Sequence, residues 1–291
     1  VLEKDLLPTY LTQRRWFGAK DETIASVHLV RSTPMPAAED LLLGEIEVAT
    51  DSGTATYMLP LGIAWEGEQH SPFASNLALA RVRRGRQVGL LTDGFASFGF
   101  SKSVIAAMRS GEQVEVEGGT LRFTGTPELD IETDAEPEWL SAEQSNSSMV
   151  LGERAVLKLL RKTQSGIHPD AEMVRYLTAH GFANVPEVLG EVWLDEGGES
   201  TLLMLAQRFV YNQGDGWGWT LGVLDRLATD DEWSVANYAN FACNFGRRLA
   251  EMHAALASPS DDAAFAPEPL SEDEAERLGT RIRDQIVRAL D

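Results

Sequence analysis

A lone ammonium inside an apolar run constrains this chain more than any other feature. The run is Ala155-Val-Leu-Lys-Leu-Leu160, preceded by Met149-Val150-Leu151 and a turn at Gly152-Glu153. Two short apolar runs about a Gly-containing turn predict a β-hairpin. Lys158 then sits on an otherwise apolar strand, a costly place for a charge unless a carboxylate or phosphate meets it. Upstream lies the hydroxyl-rich stretch Gln144-Ser-Asn-Ser-Ser148, and downstream Glu172 falls in a segment opened by Pro169-Asp170. Pro and Asp favour the first turn of a helix, so a helix follows the hairpin. Two readings fit this spacing. In one, Lys158 and Glu172 pair to clamp a nucleotide beneath the serine loop, as kinase-like folds do. In the other, Lys158 reaches water from an edge strand, Glu172 lies on a solvated helix face and the serines form a plain loop.

Composition narrows the classes. A net charge of −20, from 45 acidic against 25 basic residues, argues against a nucleic-acid or anionic-membrane surface, which asks for a basic face. It leaves room for an anionic ligand in one cationic cleft. A hydrophobic content of 43% with seven tryptophans is ample for buried cores. Cys243 is the single cysteine and lies in an apolar helical pattern, which predicts a buried thiol and no internal disulfide. No signal peptide and no run of about 18 apolar residues is present, so a cytoplasmic protein is expected.

The hydrophobic period divides the chain. Ile24 to Arg31, Leu41 to Ala49 and Thr54 to Ile63 alternate and read as antiparallel strands, with Asp51-Ser-Gly53 as a hairpin turn. Ala78 to Leu91 reads as a hairpin turning at Gly85, its arginines on a solvated face. Before these strands, Trp16 and Phe17 read as core anchors, with Arg14 and Arg15 at the rim. Ser101 to Ser110 has helical spacing and a stop at Gly111; short strands follow at Val114 to Val116 and Leu121 to Thr124. The acidic stretch Pro127 to Pro137 reads as an exposed connection. Val188 to Leu194 and Leu202 to Val210 read as two further strands about Glu196-Gly-Gly-Glu199. Beyond them the period becomes helical: Val235, Tyr238, Phe241, Phe245, Leu249, Met252 and Leu256 fall at steps of three and four, behind Asp230 and Asp231. Ser271 with Glu274 predicts a capping box on a last helix lined by Leu278, Ile282, Ile286 and Leu290.

Several stretches, in order along the chain, resemble the maltokinase family, more narrowly the maltokinase domain fused to bacterial trehalose synthases. They are Gln13-Arg-Arg-Trp-Phe-Gly-Ala-Lys20, Ser141-Ala-Glu-Gln-Ser-Asn-Ser-Ser148, Val156-Leu-Lys158, Gly166-Ile-His-Pro-Asp-Ala-Glu172 and Asn212-Gln-Gly-Asp-Gly-Trp-Gly-Trp219. The resemblance implies an α+β, bilobal protein-kinase-like fold with an N-terminal β-rich cap subdomain and a C-terminal lobe incomplete in this chain. The expected division is a cap over 1–100, a β-rich kinase N-lobe over 101–208 and the start of a helical lobe over 209–291. The implied reaction transfers the γ-phosphoryl group of ATP to maltose, giving maltose 1-phosphate, with Mg2+ and with a trehalose synthase domain or subunit as partner.

On that resemblance Ser145, Asn146, Ser147 and Ser148 would hold phosphates, Lys158 would meet the α- and β-phosphates and Glu172 would hold Lys158. Gln207, Phe209 and Val210 would offer hinge backbone groups to adenine. Asn212 to Trp219 reads equally as part of a sugar cleft or as a packing joint, and His253 as a structural histidine. The family's His-Gly-Asp and Asp-Phe motifs are absent, and Asp215 and Asp225, read as loop aspartates, stand in the wrong order to replace them. No catalytic residue and no metal ligand is therefore expected here. Two other readings stay open: a non-catalytic nucleotide- or sugar-binding module docking on a trehalose synthase, and a kinase for another sugar such as glucosamine.

Overall fold

The computed structural model describes residues 1–67, 74–131, 137–140, 146–229 and 235–290. The chain divides into two compact units, Val1–Tyr176 with Val185–Asp215, and Leu177–Asn184 with Gly216–Asp291.

The first unit carries two antiparallel sheets. Strands β1 (Ile24–Pro34), β2 (Leu41–Thr50) and β3 (Gly53–Trp65) form a meander, and β4 (Ala78–Arg84) pairs with β5 (Gln87–Asp93). Their order is β1-β2-β3-β5-β4. The turns fall at Gly53 and Gly85 as the sequence predicts, and both glycines take positive φ. The arginine-rich hairpin is a solvated face: Arg81 meets Glu66 at 3.4 Å and Arg84 meets Asp40 at 3.0 Å. Helix α1 (Leu7–Thr12), with Trp16 and Phe17, packs on this sheet around Ile46, Tyr57 and Leu59.

Helix α2 (Phe98–Ser110) begins three residues before its apolar spacing, because the Ser97 side chain accepts the Gly99 N–H. It stops at Gly111, whose φ of 65° closes the last turn through bonds to Met108 and Ala107 carbonyls. The second sheet then follows: β6 (Gln113–Val116), β7 (Gly119–Gly125), β8 (Pro137–Trp139), β9 (Ser147–Leu151) and β10 (Ala155–Leu159). The two-residue β11 (Lys162–Thr163) leaves it to pair with β3 of the first sheet. Helix α3 (Pro169–Ala179) precedes β12 (Val188–Glu196) and β13 (Glu199–Arg208), and the order is β6-β7-β12-β13-β10-β9-β8.

One apolar core joins both sheets through α2. Met35, Leu41 and Met58 from the first sheet meet Phe100 and Ile105 of α2, and Phe123, Leu157 and Met204 of the second. The described part of the acidic stretch, residues 127–131 and Pro137, is not the wholly exposed connection its acidity suggests; residues 132–136 lie outside the described residues. Leu129 and Ile131 are 2% and 3% exposed and belong to this core, so two apolar residues pin the stretch while Glu128 and Asp130 face water.

The second unit holds α4 (Gly216–Thr229), α5 (Val235–Leu256) and α6 (Glu272–Leu290). Trp219 stacks on Tyr238 and lies 4.2 Å from the Phe241 ring, which joins α4 to α5. The long helix and the capping box form as expected: Ser271 N–H donates to Glu274 Oε2 at 3.0 Å, and Glu274 N–H returns to Ser271 Oγ at 3.3 Å. Asp230 and Asp231 lie outside the described residues. Three expectations fail here. Cys243 is exposed rather than buried, because the face of α5 that carries it has no cover within its own unit. His253 is likewise exposed, with no side-chain partner among the described residues. Asp225 is helical, inside α4, not a loop aspartate.

Candidate nucleotide site

Antiparallel register decides which side chains can meet on one face of a sheet, because directly opposed residues point the same way. Lys158 on β10 stands opposite Ser148 on β9 and Leu205 on β13. Leu205 in turn stands opposite Glu191, and Glu191 opposite Thr124. Ser148, Lys158, Leu205 and Glu191 thus form one row across one face. Val150 and Val156, two residues along from Ser148 and Lys158, share that face, as does Gln207 opposite Val156.

Helix α3 lies on the same face. Ala171 packs against Leu160, Leu202 and Leu205, and Arg175 forms an ion pair with Glu191. Trp193 Nε1 donates to the other Glu191 oxygen at 3.2 Å. Glu172 therefore sits on the helix that covers the Lys158 face, and both groups are half-buried. The direct pairing expected of them is not formed: no ion pair within 4.0 Å joins Lys158 to Glu172 among the described residues. The contact that ties α3 to the sheet is Arg175 with Glu191, two residues the sequence reading did not single out.

The serine stretch is the link between β8 and β9, and Leu140 N–H donates across it to the Ser148 carbonyl at 3.2 Å. Ser145 lies outside the described residues. Asn146 precedes β9, and the strand pleat sends the next two hydroxyls to opposite faces. Ser148 faces with Lys158. Ser147 stands opposite Leu159 and faces the core.

There Ser147 joins a buried network that the sequence reading missed. Its Oγ accepts from Arg161 Nε at 2.7 Å, and Arg161 Nη2 meets Asp93 Oδ2 at 2.7 Å. Arg161 is 1% and Asp93 0% exposed. Tyr10 Oη donates to Asp93 Oδ2 at 3.0 Å, and the Phe95 N–H donates to Oδ1 at 3.0 Å. The guanidinium lies 4.7 Å from the Trp16 ring centre. Burial, and next the Asp93 charge, raise the Tyr10 phenol well above its ordinary pKa. The signal was present: Arg161 ends the apolar run Leu159-Leu160, a position as costly as that of Lys158.

At the end of β13 the three residues expected at the hinge differ. Gln207 is buried within the ladder. The Phe209 N–H is taken by the Arg154 carbonyl at 2.8 Å, and the Arg208 N–H by the Glu187 carbonyl at 2.8 Å. Val210 is 56% exposed, its carbonyl accepts from Asn212 Nδ2 at 2.9 Å, and its own N–H has no partner among the described residues. Among the described residues no group of three His, Cys, Asp or Glu gathers to hold a metal.

Residues 10–96 match the maltokinase N-terminal cap domain. A glucosamine kinase from Mycolicibacterium smegmatis is 28% identical over 158 residues, covering 52% of this chain and 39% of that protein. One from Streptacidiphilus jiangxiensis is 27% identical over 197 residues, covering 66% and 42%. The chain thus spans well under half the length of these curated relatives. The solved structure of a glucosamine kinase in complex with glucosamine, ADP and inorganic phosphate superposes with a TM-score of 0.52 at 21% identity, over 90% of this chain and 53% of that one. A second crystal form of a glucosamine kinase gives 0.54, over 90% and 52%. At that identity the likeness speaks for the fold alone. Residues 10–96 are thus similar to a maltokinase N-terminal cap domain, and the chain shares the α+β fold of the glucosamine kinase structures.

Proposed function

We propose that this chain supplies the nucleotide-binding side of an ATP-dependent sugar kinase. The observation that carries the reading is the row Ser148–Lys158 on the face that α3 covers. An ammonium and a hydroxyl there suit the phosphates, Val150 and Val156 suit the flat apolar adenine, and the Val210 N–H, which has no partner among the described residues, suits its edge. Glu172 is the carboxylate that would close on Lys158 when phosphate draws the ammonium into place. Phosphoryl transfer asks a protein mainly for positioning and charge neutralisation, which this arrangement can begin to provide.

Maltose is the acceptor we assign, from the maltokinase cap and the motifs that resemble that family, with maltose 1-phosphate as product and a trehalose synthase as partner. Glucosamine is the second reading, favoured by the glucosamine kinases among the relatives. The chain holds no His-Gly-Asp or Asp-Phe motif, so nucleotide binding without turnover is the behaviour expected of these 291 residues. Calorimetric titration with ADP tests the site. Lys158→Ala should weaken binding at least tenfold, about 1.4 kcal/mol, while the melting temperature holds. Unchanged affinity in that variant would remove the nucleotide reading. Turnover of ATP with maltose, and not with glucosamine, in a chain extended to the relatives' length would decide the acceptor.

A further inference from the structure

Beside the start of β9 lies a cavity of about 300 Å³, lined only by residues of the first unit, between the cap segment Gln13 to Trp16 and the strand residues Ser147 and Ser148. Its size is at the small end of ligand pockets, which run about 300–1,000 Å³. Its charge is the unusual part. In a chain of net charge −20, three arginines, Arg14, Arg15 and Arg161, line this one cavity, and Asp93 is the single acidic residue among its described lining residues.

Asp93 is already neutralised by Arg161. Arg14 has no carboxylate partner among the described residues: it donates to the Tyr10 and Asn76 carbonyls and to Gln13 Oε1. Arg15 is exposed and forms no ion pair among the described residues. Two positive charges are thus left facing the cavity, whose walls include the rings of Trp16, Phe95 and Trp139. Uncompensated guanidiniums select an oxyanion, for which their forked donors are suited. Indole faces select an apolar or sugar surface beside it.

We propose that this cavity is a binding site for a small phosphate ester of a sugar, held by Arg14 and Arg15 with its ring against the tryptophans. It is distinct from the lysine clamp: Lys158 is not among its lining residues, although Ser148, the strand partner of Lys158, lies at its edge. Calorimetric titration of the 291-residue chain with glucose 1-phosphate, and separately with inorganic phosphate, tests it. The expected result is one saturable site for the ester. Arg15→Glu should weaken it at least tenfold with an unchanged melting temperature, and Lys158→Ala should leave it within twofold. Absence of saturation at millimolar ester, or equal binding by Arg15→Glu, overturns the site. Loss in Lys158→Ala alone would place the phosphate on the nucleotide face and also overturn it. Equal affinity for inorganic phosphate would overturn the assignment of a sugar ester.

Discussion

Arg161 and Asp93 are opposite charges held almost wholly out of water, and each survives there because the other does. Their four further hydrogen bonds, to Ser147, Met58, Tyr10 and Phe95, and the contacts of the guanidinium with the Trp16 and Phe95 rings complete the set of partners a buried pair needs. Removing one charge leaves the other uncompensated. Asp93→Ala should therefore lower unfolding stability by about 3–5 kcal/mol, read from urea denaturation, whereas an exposed pair such as Arg81–Glu66 should cost almost nothing when Glu66 is replaced. Tyr10 adds a pH dependence of definite sign. Its pKa is raised, so the native chain keeps the phenolic proton where the unfolded chain, titrating near 10.0, has lost it. Stability is full below that value and falls as pH climbs through it toward the folded pKa. In Tyr10→Phe the decline above pH 10 should be shallower, and tyrosinate absorbance should lose its last-titrating component; an identical alkaline profile would show that Tyr10 is not shielded.

At the scale of elements, the strand pleat matters more than the identity of the serines. Consecutive hydroxyls on β9 serve opposite faces, so Ser147 holds the cap network and only Ser148 joins Lys158. Strand β10 then continues through Arg161 into β11, which pairs with β3, and the Met58 N–H donates to the Arg161 carbonyl at 2.7 Å. One stretch of backbone thus carries the lysine in one sheet and finishes in the other. Helix ends obey local chemistry. Gly111 sits at a φ of 65° with open space where a Cβ would go, so Gly111→Ala should cost about 1 kcal/mol from backbone strain alone, measurable as a lower urea midpoint without change in slope. On α6, Ser271→Ala removes the hydroxyl arm of the capping box, which accepts the Glu274 N–H, and leaves the backbone arm to Glu274; it should cost about 1 kcal/mol of helix stability, seen as lost helicity by circular dichroism.

At the scale of the molecule, the cap is not a separable ornament. The apolar core of the first unit draws Met35, Leu41 and Met58 from the cap together with Phe123, Leu157 and Met204 from the lysine-bearing sheet. A fragment beginning at Ser97 would expose that core and strip Arg161 of its carboxylate. It should fail to fold cooperatively, giving a broad thermal transition and dye-binding apolar surface, whereas the intact unit should melt in one sharp step. A sharp transition in the fragment would show that the second sheet carries its own core.

Much of this was legible in the residues. Period-two alternation, glycine turns and the capping Ser271 placed most strands of both sheets, β8 and β11 excepted, and one end of each of three helices, because those signals act within a few positions. Lys158 stood out because a charge in an apolar run must be explained. The capping box on α6 was readable for the same local reason. What the residues alone could not tell is which distant groups share a face. Register put Ser148 beside Lys158 and turned Ser147 away; packing gave Glu191 to Arg175 and left Lys158 and Glu172 unpaired; closure of two sheets on one core brought Tyr10, Asp93 and Arg161 together across 151 positions. Local preference follows from the chemistry of neighbours in the chain, whereas the partner of a buried charge is settled only when the sheets close and water leaves.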